Sequence, residues 1–237
     1  MSCVPAPLDI VVPVFNEEGS IDEFCARVAR LGWADRLIFV DNASTDGTVD
    51  RIRRHPGLRV IQHARNEGYG ASIRHGIAVS DAENVVIVDG DLEYPPEAIP
   101  TVVDALRDHA VVYASRFRGL RPPAMAPLRR LGNRAVSSFF NLLFGQYTTD
   151  LYTGMKGIRR SAVPLHRLRR DGFEHGVELA ALVALSGEHI HEVAVQYQPR
   201  RSGRSKMRHV PETLKLASYV VLYRLRGARL LAERAAA

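Results

Sequence analysis

Short apolar runs alternate with longer stretches of mixed character along the first half of the chain. Runs rich in valine, isoleucine and leucine occupy residues 8–14, 36–41, 58–63, 84–89 and 110–116. Apolar runs of this length, bounded by glycine, proline or polar residues, are typical of strands that are buried on both faces. The pattern therefore predicts five strands.

Each interval between these runs has the length and composition of a helix. Residues 17–31 form the first interval, and residues 44–55 begin with serine and threonine, which favour a capped helix start. Residues 68–80 open with glycines, and residues 95–106 carry proline in the first turn. Strands that alternate with such helices predict an α/β fold with a mostly parallel central sheet and helices on both faces.

Acidic side chains follow several of the predicted strands. Glu17 follows the first strand, Asp41 ends the second, and Asp89 and Asp91 follow the fourth. Right-handed crossovers place these strand-to-helix loops at one edge of the sheet, where such sheets bind ligands. Converging carboxylates favour a divalent cation such as Mg²⁺ or Mn²⁺, because hard cations prefer oxygen ligands. The alternative is a set of polar turns whose charges stay in water.

Length and composition are those of a soluble globular protein. The chain has 237 residues, of which 46% are hydrophobic and 24% are charged, enough for one large α/β domain. The two cysteines, Cys3 and Cys25, are too few for a disulfide framework, which favours a reducing cytoplasm. No segment resembles a signal peptide or reaches the roughly 18–20 apolar residues of a membrane-spanning helix. We therefore expect a cytoplasmic protein that is soluble or lies on a membrane surface.

The charge distribution suggests an anionic partner. The net charge is +6, and arginines crowd the second half of the chain. Phosphate groups and an acidic membrane face both fit this density. Nucleic acid is not expected, because aromatic residues do not interleave with the basic runs. The nine histidines show no metal-ligand spacing and are interpreted as surface or packing residues.

Several motifs, taken in order, resemble a known family. The segments VVPVFNEEGSI, VDNASTDGT, RNEGYGASIRHGI and VDGDLEYPPE are similar to those of family 2 glycosyltransferases of GT-A fold. The later segments SRFRG, DLYTGMKGIRR and YQPRRSGRSK resemble the polyprenyl-phosphate branch, typified by dolichol-phosphate mannose synthases. The resemblance extends from about residue 8 to residue 210, nearly the whole chain.

The resemblance implies roles for residues that would bind the donor. Pro13, Phe15 and Glu17 match the loop that holds the nucleotide base and ribose, and Asp41 matches a carboxylate that contacts the nucleobase. Asn42 also falls in the donor site. It stands where many members of the family have a second acidic residue, which leaves the base open between guanine and uracil.

A second group of residues corresponds to the family's metal site. Asp89 and Asp91 match the DxD pair that binds Mg²⁺ or Mn²⁺ through the donor diphosphate, and Gly90 between them belongs to the donor site. Glu93 falls where a further metal ligand can lie. Asp91 is also expected to be catalytic.

A third group concerns the acceptor and the closing of the site. Arg116 and Arg130 match arginines near the acceptor phosphate, and Asp150 is either a turn former or a residue that aligns the acceptor and the loop. Together with Asp91, these three residues are the expected catalytic residues. Arg200 and Lys206 match a flexible loop that closes on the donor phosphates.

These implications define an expected function. Residues 1–210 would form the GT-A catalytic domain, and residues 211–237 a basic helix at a surface or a membrane. The expected reaction is a metal-dependent, inverting transfer of a sugar from GDP-mannose or a UDP-sugar to polyprenyl or dolichyl phosphate. Glu174 departs from the lipid-phosphate branch, which often has lysine there. The oligomeric state is not indicated.

Two alternatives stay open at this point. One is a soluble family 2 enzyme acting on a small-molecule or glycan hydroxyl, in which Glu178 or Asp150 would act as the base. The other is a non-catalytic subunit that binds nucleotide sugars. A complete set of phosphate-binding residues argues against the second alternative, because a binding module does not need all of them.

Overall fold

One mixed sheet organises the chain in a computed structural model that describes residues 7–119, 125, 127–199 and 209–232. Its seven strands lie in the order β3-β2-β1-β4-β6-β5-β7. They are β1 (Leu8–Val14), β2 (Leu37–Asp41), β3 (Arg59–Gln62), β4 (Asn84–Val88), β5 (Val111–Ser115), β6 (Met155–Arg159) and β7 (Ile190–Ala194). The five predicted strands are all present, with ends within one residue of the prediction.

One strand, β6, runs against its neighbours. Strands β1 to β4 pair in parallel, and so do β5 and β7, whereas β6 is antiparallel to both β4 and β5. The carboxyl ends of β1, β2, β4 and β5 therefore share one edge of the sheet with the amino end of β6. The prediction of a mostly parallel sheet is confirmed, and the reversed strand adds a segment to the functional edge.

Helices cover both faces of this sheet, as predicted. They are α1 (Glu18–Arg30), α2 (Thr48–Arg53), α3 (Tyr69–Ala78), α4 (Ile99–Ala105), α5 (Pro127–Phe144), α6 (His175–Leu185) and α7 (His209–Ala232). Apolar residues of α1, α2 and α4 belong to one buried cluster, and those of α3, α5, α6 and α7 to another. Alternate residues of β1 point to opposite faces, so that Ile10 and Val12 join the first cluster while Val11 joins the second.

The last helix packs against the rest of the domain. Leu216, Val220 and Tyr223 of α7 are buried in the cluster that contains α5 and α6. Their spacing of four and three residues puts them on one face of the helix. Lys215 forms an ion pair of 3.2 Å with Glu174. Within the part of the chain that the structure describes, no helix has the length and apolar character that crossing a membrane requires.

Candidate active site

A cavity of about 650 Å³ opens at the edge where the strands β1, β4 and β5 end. Loops after β1 and β4 supply its acidic residues, and α5 supplies much of its opposite wall. The predicted residues that line it are Pro13, Phe15, Glu17, Asn42, Asp89, Gly90, Asp91, Glu93 and Arg116. The rule that ligands bind beyond the carboxyl ends of parallel strands thus locates most of the candidate residues.

Asp89 lies at the centre of the acidic side of the cavity. The hydroxyl of Tyr69 donates to its Oδ1 over 2.8 Å. A Cβ atom on Gly154 would overlap the other carboxylate oxygen of Asp89, so only glycine leaves it room. Burial raises the pKa of Asp89, and the nearby charge of Asp91 raises it further. The carboxylate is therefore held in a place where its charge is costly unless a cation lies nearby.

Lys156 supplies a positive charge beside Asp89. It is the second residue of β6, it is almost fully buried, and its ammonium group donates to the Thr153 carbonyl. Burial lowers the pKa of Lys156, whereas the charge of Asp89 acts to raise it. Neither Lys156 nor Tyr69 was predicted from the sequence, because their approach to Asp89 depends on the reversed strand and on the start of α3.

The chemistry of the acidic cluster fits a divalent cation. Asp89, Asp91 and Glu93 offer carboxylate oxygens within one short loop, and the backbone N–H of Glu93 donates to Asp91 Oδ1 over 3.0 Å. Oxygen-only ligand sets of this kind suit Mg²⁺ or Mn²⁺. The repulsion that raises the pKa of Asp89 would be relieved by such an ion. The assignment of these three residues as ligands stays a prediction.

The two residues at the end of β2 differ in their surroundings. Asp41 is fully buried and does not line the cavity, and its carboxylate accepts the backbone N–H of Ser44. Asn42 does line the cavity. Its Nδ2 donates to Asn66 over 2.9 Å, and its Oδ1 accepts the N–H of Glu67 over 2.8 Å. Of these two residues, Asn42 rather than Asp41 lies at the cavity.

A buried ion pair connects the end of β5 to the segment that precedes β6. Arg116 donates from Nε and Nη2 to the two carboxylate oxygens of Asp150, at 2.7 Å each. Asn133 of α5 donates to the same carboxylate over 2.8 Å. Burial alone would raise the pKa of Asp150, but the Arg116 guanidinium holds it below its usual value. Asp150 is thus ionised and fully engaged, which does not suit a general base.

The segment that contains Asp150 is held by Glu192 of β7. Glu192 accepts the hydroxyl of Thr148 over 2.7 Å and the backbone N–H groups of Thr149 and Asp150 over 2.7 and 3.0 Å. The edge strand β7, which was not predicted from the sequence, therefore positions the Arg116–Asp150 ion pair.

The α5 wall of the cavity is both basic and apolar. Arg129 lines the cavity, whereas the neighbouring Arg130 does not. Leu128 and Leu131 line it as well and are 65% and 66% exposed. Arg130 remains a predicted acceptor residue, and Arg129 is a second candidate that the motif comparison did not identify. Arg200 and Lys206, predicted to close on the donor, lie outside the described residues.

The carboxylate of Glu178 forms hydrogen bonds that hold neighbouring elements of the fold together. It accepts the backbone N–H groups of Arg169 and Arg170, and the hydroxyl of Tyr223 donates to it over 2.8 Å. It is buried and does not line the cavity. These contacts join α6, the preceding loop and α7, and they do not suit the role of a catalytic base.

This chain is similar in sequence to several known proteins. Residues 9–164 match the family described as Glycosyl transferase family 2. The chain is 31% identical over 205 residues to "Glycosyltransferase AglJ" of Haloferax volcanii, covering 84% of this chain and 65% of the relative. It is 30% identical over 203 residues to the "Dolichyl-phosphate hexose transferase" of the same organism, covering 84% and 86% of the two chains. It thus spans about two thirds of the first relative and most of the second.

A solved structure shows the same fold. The glucosyl-3-phosphoglycerate synthase of Mycobacterium tuberculosis, crystallised with Mn²⁺, UDP-glucose and glycerol 3-phosphate, superimposes with a TM-score of 0.69 at 19% identity. The alignment covers 94% of this chain and 80% of that one. The GT-A fold predicted from the motifs is therefore confirmed.

Proposed function

This chain belongs to glycosyl transferase family 2, and on that basis we propose that it transfers a sugar from a nucleotide-sugar donor to a polyprenyl phosphate. The observation that carries the proposal is one cavity with two chemically different sides. Its acidic side suits a cation-bound diphosphate, and its α5 side suits a phosphate joined to an apolar chain. A relative 30% identical to this chain is named for dolichyl-phosphate hexose transfer, which supports the lipid acceptor.

On the donor side, Asp89, Asp91 and Glu93 would hold Mg²⁺ or Mn²⁺. When bound, such an ion stabilises the negative charge that develops on the leaving diphosphate. Tyr69 holds the carboxylate of Asp89 by a hydrogen bond, and the nearby charge of Lys156 acts to lower the pKa of Asp89. Pro13, Phe15 and Asn42 would enclose the nucleoside. Lys206 and Arg200 are proposed to close over the phosphates.

On the acceptor side, the chemistry needs little help from a base. A lipid phosphate is ionised near neutral pH, so its oxygen can attack the sugar directly. Asp150 is already committed to Arg116 and Asn133, which agrees with a site that lacks a free carboxylate base at that position. Attack from the side opposite the leaving diphosphate would invert the anomeric configuration in a single displacement.

The α5 wall provides a route for an apolar chain. Leu128 and Leu131 are largely exposed where they border the cavity, and Arg129 lies between them in sequence. A polyprenyl tail could run along these leucines while an arginine binds its phosphate. We therefore propose a peripheral enzyme on the cytoplasmic face of a membrane, with residues 1–210 as the catalytic domain and 211–237 as a basic helical extension.

A turnover assay tests this proposal directly. GDP-mannose, UDP-glucose and UDP-N-acetylglucosamine are each incubated with a short polyprenyl phosphate, with Mn²⁺ or Mg²⁺ and with a chelator. Lipid-linked product that requires the cation is expected with one donor. Product with glycerol phosphate but not with the lipid would keep the glycosyltransferase and reject the lipid acceptor. No donor binding or turnover under any condition would reject the enzyme assignment.

A pair of variants locates the cation in the same assay. Asp91→Asn removes one carboxylate charge from the acidic cluster and should reduce turnover at least a hundredfold. Asp108→Asn makes the same chemical change at an exposed position after α4 and should leave turnover unchanged. Equal activity of the two variants would contradict the assignment of Asp91.

A further inference from the structure

Two histidines and a glutamate converge beside the donor end of the cavity, on residues that the proposed reaction does not use. They are His63, which follows β3, Glu67 in the next loop, and His75 of α3. His63 Nε2 and His75 Nδ1 are 2.8 Å apart, and Glu67 Oε2 lies 3.9 Å from the Nδ1 atom of each histidine. One ligand atom from each residue lies within 4.8 Å of the others. We propose that these residues bind a Zn²⁺-like divalent cation at a site separate from the acidic cluster.

The hydrogen bonds around His63 show which of its nitrogens is available. The N–H of Gly68 donates to Asn66 Oδ1, and Asn42 Nδ2 donates to the same oxygen over 2.9 Å. The Oδ1 atom of Asn42 therefore faces the other way, and it accepts the N–H of Glu67 over 2.8 Å. This oxygen is 3.2 Å from His63 Nδ1. Because an amide oxygen only accepts, His63 Nδ1 carries the proton.

It follows that His63 Nε2 presents its lone pair towards His75, whose Nδ1–H donates to it over 2.8 Å. A cation bound between the two nitrogens would take the place of this proton, because metal ligation requires the deprotonated nitrogen. The His63 side chain is only 4% exposed and is held by Asn42, so its ring is fixed. In metal sites, a hydrogen bond to one ring nitrogen of a histidine fixes its tautomer and orients the other nitrogen towards the ion. The second imidazole ligand, His75, lies on the neighbouring helix α3. The Oδ1 atom of Asn42 is thus placed as the hydrogen-bond partner that would direct His63 Nε2 towards the ion.

The chemical types of the three ligands favour Zn²⁺ over Mg²⁺ and Mn²⁺. Two imidazoles and one carboxylate, with a fourth position for water, match the donor sets of three-ligand Zn²⁺ sites. Mg²⁺ and Mn²⁺ prefer oxygen ligands and would favour Asp89 and Asp91 instead. With Zn–N bonds of about 2.0–2.1 Å, tetrahedral ligand nitrogens lie roughly 3.3 Å apart. His75 is 44% exposed, so a shift of about 0.5 Å from the present separation meets little packing.

The site would also connect to the donor cavity. Asn42 lines that cavity and holds both His63 and the Glu67 backbone. A cation bound by the three residues would therefore rigidify the loop at the nucleotide end. This inference rests on the local geometry alone and does not require the proposed transfer reaction.

The experiment measures metal binding by untagged full-length protein that has been treated with a chelator. Co²⁺ is titrated in and its visible absorption is recorded, and Zn²⁺ is titrated by calorimetry. We expect one Co²⁺ per chain with the strong absorption of tetrahedral coordination, displaced by one equivalent of Zn²⁺ and not by excess Mg²⁺. Absence of this absorption, or its displacement by Mg²⁺, would overturn the proposal.

Variants separate this site from other histidines and from the acidic cluster. His75→Ala removes a partly exposed ligand and should weaken Zn²⁺ binding at least tenfold, while Asp91→Asn should leave the Co²⁺ absorption intact. His109→Ala is the matched control, since it disrupts another histidine pair, in which the rings of His109 and His191 stack with centroids 3.7 Å apart. Unchanged affinity in His75→Ala, or an equal loss in both histidine variants, would contradict the assignment. Circular dichroism of each variant shows whether it is folded.

Discussion

At the scale of single residues, the Arg116–Asp150 pair combines a stabilising role with a place beside the cavity. Breaking a buried ion pair by removing one partner leaves the other charge uncompensated, which costs about 3–5 kcal/mol. We therefore expect Asp150→Asn to lower the free energy of unfolding by that amount, measured by urea denaturation. Asp104→Asn is the control, because the pair that Asp104 forms with Arg107 is exposed and should contribute below about 1 kcal/mol. Similar losses of unfolding free energy in both variants would contradict the larger contribution expected from the buried Arg116–Asp150 pair.

His175 provides a pH-dependent prediction at the same scale. It is fully buried, and burial lowers its pKa from 6.5 to about 3. The unfolded chain therefore takes up a proton below pH 6.5 that the folded protein does not take up until about pH 3. Stability due to this group is lost as the pH falls through that window, by about 1.4 kcal/mol per pH unit.

Comparison with His175→Phe isolates this contribution. Asp89, whose pKa is raised, gives the opposite dependence of stability on pH, because the folded protein binds this proton more readily than the unfolded chain. Asp89 is present in both proteins, so its contribution cancels when the variant is compared with wild type. The stability of His175→Phe relative to wild type should thus increase as the pH is lowered from 6.5 to 4.5, in urea titrations at several pH values. A difference that is independent of pH would contradict burial of a neutral His175.

At the scale of elements, the position of α7 depends on a few polar contacts under its apolar face. Tyr223 donates to Glu178, and Arg170 Nε donates to the Tyr223 hydroxyl over 3.2 Å. Tyr223→Phe leaves the buried Glu178 carboxylate short of one donor, which should cost about 1–3 kcal/mol in urea denaturation. Tyr219→Phe, one turn earlier on α7, removes a hydroxyl that forms no hydrogen bond with the residues that the structure describes, and it should be nearly neutral. A neutral effect of Tyr223→Phe would mean that packing alone holds the helix.

The elements also show how far the sequence determines the fold. Strand β1 was predicted with the bounds that it has in the structure, 8–14, because five of its seven residues are leucine, isoleucine or valine. Strand β6 was not predicted, since Lys156 and Gly157 interrupt its apolar pattern. Gly157 leaves space for Val102 of α4, and Lys156 lines the cavity. Tertiary packing accounts for Gly157 and the cavity accounts for Lys156. The local pattern of apolar and polar residues indicates neither of them.

The candidate site was predictable to the extent that it follows the strand ends. Asp89 and Asp91 come directly after a strand, so their placement follows from the sheet. Tyr69 and the pair His63 and His75 approach their partners through the packing of α3, which a linear pattern does not specify. The eleven residues between the two histidines resemble no metal-binding motif.

At the scale of the whole molecule, net charge and exposed leucines predict association with anionic membranes. The chain carries a net charge of +6, and Leu128 and Leu131 stand out from α5 at the cavity. Burying one leucine side chain is worth roughly 1.5–3 kcal/mol at most, so replacing both with glutamate should weaken sedimentation with anionic vesicles at least about tenfold. Val79→Glu, at the far end of α3, changes an apolar residue that is 49% exposed and should have little effect.

The salt dependence of the same assay separates charge from apolar contact. Association through basic residues alone should disappear at high ionic strength. The two added glutamate charges are also screened there, so only the loss of leucine contacts then distinguishes the variant from wild type. Equal sedimentation of the Leu128→Glu/Leu131→Glu protein and of wild type would therefore contradict membrane contact through α5.

The reversed direction of β6 has a consequence for the diversity that this architecture allows. Because β5 ends and β6 begins at the same edge, the chain between residues 116 and 154 departs from and returns to one side of the sheet. The pairing of β6 with β4 and β5 fixes the edge from which β6 starts, whatever the length of the chain before it. The segment between residues 116 and 154 carries α5, the wall that would face the acceptor, whereas the loops of β1 and β4 face the donor. Recombination within this one segment could therefore give a new acceptor range to an inherited donor-binding framework.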